Sequence, residues 1–207
     1  MAKYTIETII DAGVKTFARY GEEFTMSQVA EELHTSASTL YRHVATKREL
    51  YFAILTHEFD EFNVTIQQII AELGDPTPQK ILQQIGRYIL TMAREDYEKF
   101  TLMFLTKPPD IGSKLSGEEY GPGPYELACD PQTIGSIYHI IGQVIDTNAL
   151  DPNMQKNLTF YLISLIVGAG FVTSPTYEYS NQGLLPKEDY EQFHNFVIDH
   201  TFKPWLD

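Results

Sequence analysis

Two short apolar patterns near the start of the chain sit too close together to be joined by anything but a tight turn. Val29, Ala30 and Leu33 mark one face of a short helix, and Leu40 and Val44 mark a second. Only His34-Thr35-Ser36 links them. Residues three or four apart share a helix face. The pattern therefore predicts helices over about 27–33 and 37–44 with a sharp turn between them. Upstream, Ile6, Ile9, Ile10, Val14 and Phe17 follow helical spacing, and Gly21 stops that helix. Two short helices resting on a longer one form a three-helix helix-turn-helix unit, with Phe17 and Phe24 filling its small core.

The remainder also reads as helical. Thr46 and Glu49 form a candidate capping box, and the helix they open is predicted from Lys47 to about Leu73, where Gly74-Asp75-Pro76 ends it. Thr77-Pro78 opens another, with a face of Ile81, Leu82, Ile85, Tyr88, Ile89 and Met92. A further segment runs from Asp96 to Leu105. Residues 106–131 are irregular, and a loop of that length is usually functional or mobile. Helical spacing resumes at Ile134, Ile137, Ile141, Val144 and Ile145, and again after Asp151-Pro152. A loop at about 174–186 leads to a last helix with Tyr190, Phe193, Phe196 and Val197. No strand-period alternation interrupts this, so the expected class is all-α. The expected domains are a head over 1–46 and a body over 47–207, the body closing on helices at about 152–173 and 187–203.

The net charge of −13 argues against a nonspecific polyanion binder. Its distribution leaves room for a specific one. Residues 1–50 carry six Lys/Arg and seven Asp/Glu, whereas residues 51–207 carry nine and twenty-one. The acidity lies almost wholly outside the head. Cys129 is the single cysteine, so no internal disulfide forms, which suits a reducing compartment. The start lacks a secretory leader and the apolar run Leu158–Val172 is shorter than a membrane span, so a cytoplasmic protein is expected. Asn63-Val-Thr and Asn157-Leu-Thr read as chance matches to a glycosylation pattern.

The head resembles the N-terminal domain of TetR-type bacterial regulators. The residues that carry this are Phe17-Ala-Arg-Tyr-Gly21, Thr25, Thr39-Leu-Tyr41-Arg42-His43 and Lys47-Arg-Glu49-Leu50, within about residues 4–55. It departs from the family at His34-Thr35-Ser36, where glycine-valine-serine is usual, at Ser38, where a glycine is common, and at Val44, where an aromatic often stands. The resemblance implies a dimeric repressor that binds a palindromic DNA operator and is released by a small ligand, with no cofactor. By it, Thr25, Tyr41, His43 and Lys47 would contact phosphates. Ser36, Ala37, Ser38, Thr39 and Arg42 would face the groove.

The family's larger helical domain binds ligand and dimerises, and two features of the body fit. The run from Leu158 to Val172 is apolar on all sides and must be covered on all sides. A partner subunit or a central place in a monomer core would do this. For a partner, Leu158, Leu162, Leu165 and Ile166 would form the interface with Phe193, Phe196 and Val197. Gly168 and Gly170 would let another helix come close. The middle helices also hold a surplus of large, adaptable side chains. Phe62, Tyr88, Met92, Phe100 and Met103 are candidates for a ligand pocket, as are Phe104, Tyr138, His139 and Tyr161. Ordinary core packing is the competing explanation for each.

Catalysis is not expected. The six histidines show no metal-binding pairing, and no nucleophile, base and orienter assemble in the sequence. Two other readings remain: an acidic helical protein-interaction module, and a regulator controlled by a protein partner.

Overall fold

The computed structural model describes residues 4–105, 152–178 and 189–202. Expectations for Tyr138, His139, the helix near 134–145 and the loop at 106–131 fall outside these residues. No strand occurs among the described residues, in keeping with the all-α class.

Helix α1 spans Ile6–Tyr20. Thr5 caps it through a reciprocal box with Thr8, and Gly21 closes it at φ 56. A single 3-10 turn, Gly21–Glu23, leads to α2, Met26–Glu32. The next helix, α3, is only Ala37–Leu40, shorter than the expected 37–44. Beyond Leu40 the chain keeps turning, but its bonds mix two ranges: Tyr41 N–H reaches Ala37 O, while Arg42 and His43 N–H reach carbonyls three residues back. His34 supplies the turn between α2 and α3 in the left-handed region, at φ 51.

Helix α4 spans Lys47–Glu72. The expected cap forms in an altered register. Thr46 Oγ1 accepts from Glu49 N–H at 3.0 Å, but the Glu49 carboxylate returns to Ala45 N–H, one residue before the cap. Helix α5, Pro78–Glu95, is capped by Thr77 as expected. Helix α6, Tyr97–Phe100, runs into a π-helical turn at Thr101–Leu105. Helix α7 spans Pro152–Val172, α8 is Pro175–Glu178, and α9 is Tyr190–Phe202. None of the described helices is long and apolar enough to cross a membrane.

The chain divides into two compact units, and the division falls inside α4, after Glu61, rather than at residue 46. The reason is packing. Gly13 on α1 lies so close to α4 that a Cβ there would sit 2.6 Å from Ile54 Cδ1. The first half of α4 thus belongs to the head core, where Ile9, Phe24, Leu40, Leu50 and Ile54 are buried. Phe17 stacks on Tyr51 at 5.7 Å and meets Phe24 edge-on at 6.3 Å. The expected Phe17–Phe24 core is therefore completed by a third ring.

In the second unit α5 packs against α6, α7 and α9, and α7 packs against α9. Its core includes Phe62, Ile66, Leu82, Ile89, Leu162, Ile166 and Ile198. Gly170 brings α7 against α5 and α6: a Cβ there would lie 2.9 Å from Ala93 Cβ and 3.0 Å from Phe100 Cζ. Polar bonds tie α5 to α9 at the rim, from Gln83 to Asp199 and from Arg87 to Asn195.

Candidate nucleic-acid interface

The polar residues of the head emerge on its surface because Leu40 and Val44 are held in the core. Anchoring those two positions turns Ser38, Tyr41, Arg42 and His43 outward, and all four are exposed. Tyr41 is 50% exposed. Ser36 and Lys47 are exposed as well, and Ala37 and Thr39 are half-buried.

Two expected phosphate contacts are already engaged within the head. Thr25 caps α2 and forms a reciprocal box with Gln28. Its N–H donates to Gln28 Oε1 at 2.8 Å, and its hydroxyl contacts the same oxygen at 3.0 Å. A phosphate, which only accepts, would have to take a hydrogen from this box. Lys47 Nζ donates to Glu22 O at 2.6 Å and lies 4.7 Å from the centre of the Phe24 ring. An ammonium has three donors, so Lys47 keeps two for another partner. The Arg42 guanidinium, by contrast, forms no hydrogen bond or ion pair among the described residues. Arg19 is bridged to Glu32 at 2.8 Å.

The second unit separates the expected interface residues into two sets. Leu158, Leu162 and Ile166 are buried inside their own unit. Leu165, Phe193, Phe196 and Val197 instead line an open apolar groove of about 360 Å³ between α7 and α9. Gly168, Ala169, Val172, His200 and Thr201 complete it. Phe196 is 57% exposed and Leu165 38%. His200 stacks on Phe196 at 4.0 Å.

The expected pocket residues are likewise divided. Phe62, Met92 and Phe100 are buried in the second unit, and Phe62 meets Tyr88 at 5.3 Å. Met103 is buried and Phe104 half-buried, in the segment that clusters with the first unit. Tyr161, on α7, is 50% exposed.

One buried polar pair was not anticipated. His194 Nε2 lies 2.8 Å from the Thr173 hydroxyl. Burial, aided by the nearby Arg94 charge, lowers the His194 pKa to about 4, so the ring is neutral near pH 7. Among the described residues no cluster of His, Cys, Asp and Glu is arranged to hold a metal.

A model of the bacterial regulatory proteins of the tetR family matches residues 9–54. No curated protein matches the sequence. Among solved structures the chain is similar to AibR in complex with isovaleryl coenzyme A and operator DNA, with 16% identity, 95% of this chain and 97% of that one covered, and a TM-score of 0.62. It is similar to a tetR family transcription regulator from Shewanella sp. PV-4, with 16% identity, 99% and 100% coverage and a TM-score of 0.66. It is also similar to FadR from Bacillus subtilis in complex with stearoyl-CoA, with 16% identity, 96% and 98% coverage and a TM-score of 0.60. At such identities the likeness is one of fold.

Proposed function

We propose, from the match of residues 9–54 to the tetR family of bacterial regulatory proteins, that the chain is a tetR-type repressor that binds a palindromic operator as a homodimer and is released by a small ligand. The observation that carries the DNA reading is the exposed set Ser36, Ser38, Tyr41, Arg42 and His43, held outward by the buried Leu40 and Val44. Small residues at the start of this segment permit close approach to base edges, and the cation and phenol further on suit phosphates.

The apolar groove between α7 and α9 supports the dimer. A second copy covering Leu165, Phe193, Phe196 and Val197 would remove large rings from water. A symmetric dimer places two heads on half-sites about 34–36 Å apart along one face of the duplex. Ligand binding in the second unit would shift α4, which is continuous from one unit to the other, and spoil that match. The ligand must favour the released state by its own affinity difference. Coenzyme A thioesters are the class to screen first, because AibR and FadR hold isovaleryl and stearoyl thioesters.

The test is fluorescence anisotropy on duplexes from the upstream region of the protein's own gene, titrated with salt. A saturable complex of one dimer per near-palindromic duplex is expected. Equal affinity for that duplex and for random DNA at every salt concentration would overturn the reading.

A further inference from the structure

Ser36, Ser38 and Thr39 form one hydrogen-bonded array of hydroxyls on the surface assigned above to DNA. Ser36 Oγ is its hub, 2.9 Å from Ser38 Oγ and 3.1 Å from Thr39 Oγ1. Ser36 precedes α3, yet its side chain takes no backbone N–H and so does no capping. Its hydroxyl is committed to its two neighbours instead. No charged side chain bonds to the array among the described residues, so its chemistry is that of three neutral hydroxyls.

A proton count limits what the array can recognise. Each hydroxyl owns one proton and two lone pairs. The two internal bonds use two of the three protons and two of the six lone pairs. One proton and four lone pairs are left for the outside. Ser36 has a single proton, so it cannot donate to both neighbours. At least one of Ser38 and Thr39 must therefore donate inward and present only lone pairs outward. Phosphate oxygens only accept, so at most one proton of the array can serve the DNA backbone, while four lone pairs remain for donors. The major-groove edges that donate are the amino groups of adenine N6 and cytosine N4.

We propose, resting on the DNA-binding reading, that this array determines operator specificity by accepting a hydrogen bond from the exocyclic amino group of an adenine or cytosine. Backbone attraction is left to the cationic Arg42 and the two spare donors of Lys47.

The test begins by selecting a preferred duplex from random sequence with the full-length protein. Each adenine of the selected half-site is then replaced by purine, which lacks the 6-amino group, and each cytosine by 2-pyrimidinone, which lacks the 4-amino group. For the intact protein, one such deletion is expected to weaken binding about tenfold. Its location among the purine or the pyrimidinone duplexes identifies the base read. Removing the accepting oxygens themselves, in Ser38→Ala and Thr39→Val, should bring the cost of the same deletion below about twofold in one of the two variants. Circular dichroism checks that both variants fold. An equal loss in the intact protein and both variants overturns the assignment, as does the absence of any amino deletion costing more than about twofold. If selection yields no preferred duplex, the DNA-binding premise is lost, and the assignment with it.

Discussion

Gly168 and Gly170 are separated by one residue on α7 and face opposite surroundings. A Cβ on Gly170 would lie 2.9 Å from Ala93 Cβ, whereas a Cβ on Gly168 would meet nothing within 4 Å. Gly170 serves the inside of the subunit, and Gly168 opens the floor of the groove. Gly170→Ala should therefore destabilise the protein by about 1–2 kcal/mol, overpacking outweighing the better helix propensity. Gly168→Ala should leave the subunit unchanged or stabilise it by up to about 1 kcal/mol. Urea midpoints of the two variants at equal protein concentration decide this, and a harmless Gly170→Ala would contradict the close approach.

The groove gives a second expectation. Leu165→Glu or Phe196→Glu places a carboxylate where a partner's apolar face would rest, and both positions are exposed in the single subunit. Either variant should keep its helical circular dichroism but sediment as a monomer. Retention of a dimer at micromolar concentration would remove the groove from the interface.

His34 occupies a backbone region costly for residues with a Cβ. His34→Gly should raise stability by about 0.5–1 kcal/mol after allowing for the greater entropy of glycine in the unfolded chain. His34→Val, β-branched at the same φ, should lower it. Thermal melts of the pair should move in opposite directions.

His194 makes stability depend on acid. Its folded pKa, about 4, lies below its ordinary value of 6.5. The unfolded chain therefore binds a proton first as pH falls. The contribution of the neutral ring is complete above about pH 6.5 and is lost progressively between there and about pH 4, by roughly 3 kcal/mol at the far end. The urea midpoint of the intact protein should drop across that window. His194→Gln, which keeps a polar partner for Thr173, should flatten this part of the curve.

Arg42 and Thr25 should separate in DNA binding. Arg42→Ala removes a cation with no internal partner and should reduce the slope of log affinity against log salt by about 1. Thr25→Ala breaks the box with Gln28 and should cost about 1 kcal/mol of fold stability while leaving the salt slope unchanged. A reduced salt slope in Thr25→Ala would return that residue to the phosphate contacts.

The head was largely legible because its signals are local. Gly21, Thr46 and the three-residue turn each fix a boundary through backbone geometry that depends on few neighbours. The box between Thr25 and Gln28 went unread, although a threonine followed three residues later by glutamine is its sequence signal. The body was harder to read because α7 is apolar on every side, so composition could not separate its faces. Its spacing could have done so. Leu158, Leu162 and Ile166 recur every four residues and turn inward. Leu165, Gly168, Ala169 and Val172 form another helical series, matched on α9 by Phe193, Phe196, Val197 and His200. The bond between His194 on α9 and Thr173, just past the end of α7, joins residues 21 apart, and no local pattern announces it.

Helix α4 contributes its first fifteen residues to one hydrophobic core and its last eleven to another. A helical piece of 11–15 residues is marginal in water without tertiary support. Melting either core would leave the neighbouring half of α4 to fray and expose the first turns of the other. Denaturation is therefore expected to couple the two cores into one cooperative transition, with α4 as the shared structural debt that neither core can settle alone.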